Sequence, residues 1–332
     1  MSESGEVFFN RTLRASGHTQ YDEIKDFYQL CKENKAISGI GDDELDKLVK
    51  DLENDHVEKS NDMVIEMILN YVMENTKNQR TLDILSNLKV ANIPYEKAMI
   101  GRAYPQYTDG SYYIEIDSNI LKRIQLLSDI FAIFFMYNES IGEIEESILK
   151  QLLKANILRY NNNVNFNNEF NLIQIKMMIY DRIFESSRFT DKYISYSREI
   201  EEIGTATLLG HEVGHHYYGH TEKPTNDKET LKSYEFLADR YSVDFSFEYL
   251  KSAYTYDGNN YGLHQFASVY IPLIASSFYG DVHIDGVKHP SIVKRINIIR
   301  KKLSLKIESE AFQEVDKYIN VLYQNIGFNI LK

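Results

Sequence analysis

Cysteine is almost missing from this 332-residue chain. Cys31 is the single one, which excludes a disulfide scaffold and any zinc site built on thiolates. A lone thiol agrees with a reducing compartment. Proline is scarce, at five residues, and glycine modest, at 16, so collagen-like, linker-rich and low-complexity architectures are excluded. Positive charge is also in deficit. Lys and Arg number 37 against 49 Asp and Glu, a net charge of −12, so the basic face that offsets nucleic-acid phosphates is not expected. Long apolar runs are absent too. A membrane span needs about 20 apolar residues; the most lipid-like window, 126–137 (LLSDIFAIFFMY), is shorter and contains Asp129. The stretch 270–279 is broken by Pro272 and two serines. The opening MSESGEVFFNRTLRASG has no basic start followed by an apolar run, so no secretory signal is expected. These absences together predict a soluble, cytoplasmic protein with no membrane span and no nucleic-acid partner.

What is present suffices for a folded core. Hydrophobic residues make up 43% of the chain, enough for one large domain or two smaller ones. Apolar positions recur at helical spacing from 20 to 90, and the charge run at 42–59 reads as a solvated helix surface. The segment Tyr112–Asp117 (YYIEID) alternates, with Tyr113 and Glu115 against Ile114 and Ile116, and follows an Asp109-Gly110 turn signal. It predicts a strand with one wet and one buried face. Helices are expected from about 118 to 154, and the asparagine cluster at 160–171 marks a loop or seam. From 171 onward the pattern is again mostly helical.

Four of the nine histidines fall within 204–220, GTATLLGHEVGHHYYGH. His211 and His215 are four apart, so on a helix they project about 40° from one another and two imidazoles can share one metal ion. Glu212 is turned about 100° from His211, where its carboxylate reaches a metal-activated water without ligating the metal. This is the H-E-x-x-H arrangement. His216 and His220 form a second pair at the same spacing, but no carboxylate follows His216 and Gly219 predicts that the helix ends there. Both are expected to be packing residues at a helix terminus.

A catalytic zinc site keeps three protein ligands and one open position. A second helix over 229–253, opened by an Asn226…Glu229 capping box, offers the third. There Glu235 and Asp239 stand four apart with small Ala238 alongside, where two helices can approach closely. Glu235 is expected as the third ligand, and Asp239 behind it as acceptor for the free ring nitrogen of a ligating histidine.

HEVGHHYYGHT, then SYEFLADRYS, then HPSIVKRI at 289–296 occur in the order seen in gluzincin zinc peptidases. Over roughly 200–303 the chain resembles the family of HtpX and the CAAX prenyl proteases, and more loosely the Lit and ImmA peptidases. The resemblance implies a zincin-like α+β fold, mainly helical with a small sheet. The expected organisation is an N-terminal helical region at 1–90 and a metallopeptidase domain at 91–332 with a helical insertion around 120–197. The resemblance also implies one zinc ion per chain on His211, His215 and Glu235, with Glu212 as catalytic base acting on a protein or peptide substrate. His289 and Arg295 come with the third block as candidate oxyanion donors; the alternatives are a structural salt bridge with an active-site acid for Arg295, and for His289 a capping or packing role or occupation of the open zinc position. Unlike the membrane-embedded members, this chain has no span. The strand Tyr112–Asp117 is a candidate for main-chain pairing with substrate. The rival reading is a non-catalytic zinc module, which leaves Glu212 without a purpose.

Overall fold

The computed structural model describes residues 60–93, 101–138, 188–223, 225–254, 261–277, 283–286 and 289–326. Cys31, the charge run at 42–59, the asparagine cluster and much of the expected insertion lie outside those residues.

Two helices open the described chain, α1 (Ser60–Asn75) and α2 (Gln79–Ser86). Helix α2 starts where Asn78 accepts the Thr81 backbone N–H. Three strands follow: β1 (Leu88–Ile93), β2 (Gly101–Tyr104) and β3 (Tyr112–Asp117). β1 corrects the expectation of helix up to residue 90. Its backbone pairs in parallel with β3, Leu88 opposite Tyr112, and that long-range ladder overrides local helical spacing.

The strand expected at Tyr112–Asp117 forms, but as the middle of the sheet. The order is β1-β3-β2, with β2 antiparallel to β3 and Tyr104 opposite Tyr113. From Tyr113 to Asp117 every side chain of β3 is buried, so the expected wet face is absent. Ile114 and Ile116 enter the main core, whereas Glu115 on the other face accepts hydrogen bonds from the Tyr104 and Tyr113 hydroxyls. A central strand has both backbone edges taken, so β3 cannot pair with a substrate. Among the described strands, β2 has a neighbour on one side only.

The remaining elements are helical. α3 (Ser118–Asn138) contains the apolar window, with 126–136 buried except Asp129. The 30-residue α4 (Arg188–Tyr217) and the 26-residue α5 (Lys228–Ala253) pack against each other along their lengths. Two glycines bring them close. A Cβ on Gly214 would lie 3.1 Å from the Ala238 Cα, and one on Gly210 would lie 2.7 Å from the Phe245 Cβ. Position 214 faces 238 while 210 faces 245, so the helices run antiparallel. The N-cap of α5 is Asp227, whose carboxylate accepts the Thr230 N–H at 2.9 Å, rather than Asn226. Short helices α6 (Leu263–Ala267) and α7 (Ile271–Ser276) flank a 3₁₀ turn at Ser268–Tyr270. They lead to α8 (Ile292–Leu303) and α9 (Ser309–Ile326).

One apolar cluster joins nearly all of this. It includes Ile68 of α1, Ile84 of α2, Ile114 of β3, Ile124 of α3, Leu209 and Val213 of α4, and Ile299 of α8. The helices before residue 90 therefore share the core that supports the histidines. The architecture is α+β and mainly helical. No helix among the described residues is long and apolar enough to cross a membrane.

Candidate active site

Helix α4 presents His211 and His215 towards α5, which presents Glu235 and Asp239 one turn apart in return. The His211 Nε2 and His215 Nε2 atoms stand 3.3 Å apart. Glu235 closes the triangle, with its carboxylate oxygens 3.6 Å from His211 Nε2 and 3.5 Å from His215 Nε2. All three ligand atoms fall within 4.8 Å of one another, and no other such group occurs among the described residues. Two imidazole nitrogens and a carboxylate oxygen suit zinc.

The two candidate histidine ligands are held at their other ring nitrogens. His211 Nδ1 donates to Asp239 Oδ1 at 3.0 Å, which turns Nε2 towards the other ligands. Arg295, from α8, grips Asp239 with two bonds, Nη2 to Oδ1 at 2.7 Å and Nε to Oδ2 at 2.9 Å. It also stands 3.6 Å from Glu235. Its Nη2 also lies 3.2 Å from His211 Nδ1 and 3.3 Å from His211 Nε2. His289 lies at the mouth, 64% exposed, with Nδ1 3.1 Å from Glu235 Oε2. The loop carrying it is tied down by Asp285, which accepts the Ser291 N–H and pairs with Lys232 of α5 and Lys294 of α8.

Charge in the cluster follows from burial and neighbours. Burial pushes the Glu212 carboxyl up, to about 7, with the Glu235 carboxylate adding to the rise and His211 and Arg295 opposing it. Burial also pushes His215 down, to about 3. His211 is subject to the same burial and to the Arg295 charge, but the Asp239 and Glu235 carboxylates outweigh both and raise it to about 9. Burial opposes ionisation of Glu235 as well, yet His211, His289 and Arg295 hold its carboxyl well below the usual range.

The Glu212 carboxylate lines the same cleft and lies against β2. A Cβ on Gly101 would lie only 2.6 Å from Glu212 Oε1, so the first residue of β2 must lack a side chain for the carboxylate to sit there. Around these groups is a cleft of about 820 Å³, lined by Arg102 and Ala103 of β2, Leu208, Tyr234, Leu273 and Ile284 among others. Spacing had no means of indicating Gly101 or Arg102, which come from a strand distant in sequence.

The two remaining histidines divide. His216 is buried and its Nε2 donates to the Tyr113 carbonyl at 3.3 Å, docking α4 onto β3 as a packing residue. At His220 the helix has ended, as Gly219 indicated: it stops at Tyr217, and Gly219, at φ +67°, reverses the chain. His220 then lies under the site, with Nδ1 3.1 Å from His215 Nδ1. The signal was Gly219 itself: a left-handed helix ending folds the next residue back onto the last turn.

Residues 190–315 match the family model Peptidase U49. The chain is thus similar to a peptidase family over the segment that carries the site. The match supports a hydrolase acting on peptide bonds, with a protein or peptide substrate. It covers most of α4, then α5 to α8 and the start of α9, and hence every residue described above except those of β2 and Tyr113 of β3. No curated protein and no solved structure matches the chain.

Proposed function

We propose that the protein is a zinc-dependent endopeptidase of the gluzincin type, acting in the cytoplasm on a protein substrate. His211, His215 and Glu235 would hold one zinc ion, and Glu212 is the general base. The observation that carries this reading is the convergence of one carboxylate and two imidazole Nε2 atoms, each ring held at its Nδ1, beside a fourth group, Glu212, in the same cleft. A structural zinc site has no use for that fourth group.

When bound, zinc supplies Lewis acidity to a water and to the scissile carbonyl. Glu212 takes the proton released from the water at its carboxylate and passes it to the departing amine. Its raised pKa suits this, because a base works best near the operating pH. The free backbone edge of β2, over Gly101–Ala103, offers donors and acceptors along which an extended peptide can lie. β2 therefore takes the role first expected of Tyr112–Asp117. His289, exposed beside Glu235, is the side chain suited to donate to the developing oxyanion. Arg295 acts through Asp239 and is a positioning residue.

Two measurements test the proposal. Elemental analysis of the purified protein is expected to find about one zinc per chain, lost in His211→Ala, His215→Ala and Glu235→Ala. Glu212→Gln is expected to keep the ion and to trap a substrate from the cell without cutting it. On the captured substrate its turnover is expected to fall by about 10²- to 10⁴-fold. Zinc absent from a folded wild type overturns the metal assignment, and wild-type turnover in the Gln variant overturns the base.

A further inference from the structure

We propose that His220 is a positioning residue that fixes the tautomer of His215 through a histidine-to-histidine hydrogen bond. The inference rests on the ligand assignment above and adds a residue to it.

The geometry begins with the way α4 ends. The Gly219 N–H donates to the His216 carbonyl at 3.0 Å, and the His220 N–H donates to the His215 carbonyl at 2.9 Å. These are the paired bonds of a Schellman ending, which stacks the residue after the glycine onto the last turn. In that motif the contact is commonly apolar. Here it is a pair of imidazoles, and the backbone bond joins the same two residues whose rings meet.

The ring of His220 is held on its faces. It stacks on Tyr234 of α5, with centroids 4.0 Å apart and planes within 8°, and on Tyr218, with centroids 5.5 Å apart and planes within 19°. Tyr234 directly precedes Glu235, so the element that brings the carboxylate ligand also clamps the ring behind the histidine ligand. His220 is 8% exposed, and its Nδ1 has no freedom to turn to solvent.

Two ring nitrogens 3.1 Å apart form a hydrogen bond only if one carries the proton and the other accepts it. A ligating His215 needs its lone pair on Nε2, so its proton belongs on Nδ1. That assigns His220 Nδ1 as the acceptor and places the His220 proton on Nε2. Each histidine ligand thereby has its own support: Asp239 behind His211 and His220 behind His215. A carboxylate behind a ligating imidazole makes the ligand more anionic, whereas a neutral imidazole orients it without adding charge. The pair of supports is asymmetric in charge.

The test uses the full-length protein and three forms: wild type, His220→Phe and His220→Asn. Phenylalanine keeps the stack on Tyr234 and removes the acceptor, whereas asparagine places a carbonyl oxygen near the position of Nδ1. Nitrogen-15 NMR of histidine-labelled, chelator-treated protein is expected to show His215 as the Nδ1–H tautomer in the wild type and in the Asn variant. In the Phe variant a mixture is expected. Zinc affinity by chelator competition is expected to fall about 10- to 100-fold in His220→Phe, the usual loss when such a partner is removed, and to return largely in His220→Asn. Urea unfolding in the presence of chelator checks that the Phe variant is as stable as the wild type. An unchanged His215 tautomer in the Phe variant overturns the inference, and so does a zinc loss as large in Asn as in Phe. Because the tautomer is read without metal, a wild type that binds no zinc defeats the function proposed above and leaves this inference to be decided by the spectrum.

Discussion

Helix α4 carries ionisable groups in its middle and at its C-terminal end, and the two places treat them differently. Midway along it, Glu202 receives Arg198 Nε at 2.7 Å and the hydroxyls of Tyr249 and Tyr254 at 2.9 and 2.5 Å. Glu199 receives Ser195, His264 and Gln265, and Asp129 of α3 receives Tyr193 and Ser197. These carboxylates are surrounded by donors that point at them and away from any cleft that leads to the histidines. At the C-terminal end the side chains are also held, but from behind. The Nε2 atoms of His211 and His215 and the carboxylate of Glu235 face one another across 3.3 to 3.6 Å and open on the cleft. The first cluster has its carboxylates each met by two or three donors, which is what a structural network needs. The second has its supporting atoms used up and its working atoms left convergent, which is what a site needs. Burial and titratable content are shared by both, so neither alone identifies function; the direction in which the lone pairs point does.

The comparison can be broken at its two arginines and sharpened at Asp239. Arg295→Leu is expected to have the largest effect. It leaves Asp239 buried without its counter-charge and should cost about 3–5 kcal/mol, read by urea unfolding. Asp239→Ala comes next, with zinc affinity falling about 10- to 100-fold in a chelator competition while the fold is kept. An unchanged affinity would reduce Asp239 to a partner for Arg295 alone. The smallest effect belongs to Arg198→Leu. Its guanidinium bonds Glu202 as closely as Arg295 bonds Asp239, but Arg198 is 70% exposed, so the loss should be only about 0.2–1 kcal/mol with no change in zinc content. A loss from Arg198→Leu as large as from Arg295→Leu would remove the distinction between the two places.

How much of this was legible in the sequence depends on the range over which each feature is encoded. The facing of His211, His215 and Glu212, and of Glu235 with Asp239, follows from helical periodicity alone, and the structure places those side chains together. The close crossing of α4 and α5 was signalled by Ala238, though Gly210 and Gly214 supply the other half of the contact. The sheet was the weak point. Alternation identified Tyr112–Asp117 as a strand, but its central position comes from β1, whose residues read locally as the tail of a helical region. Whether a strand is an edge is a property of its neighbours, and no pattern within the strand records it. For His220 the helix ending at Gly219 was legible, but the contact was not: which ring the reversed chain sets the imidazole against, His215, depends on how the ending folds back and on Tyr234 of α5.

The near-contact between Gly101 and Glu212 makes position 101 a point of vulnerability that no inspection of the metal ligands would reveal. One added methyl group there, as in alanine, would stand 2.6 Å from Oε1, well inside van der Waals distance, and the carboxylate would have to give way. The candidate ligands lie apart from that contact, so Gly101→Ala is expected to leave zinc content and stability near the parent's while lowering any turnover that depends on the Glu212 carboxylate.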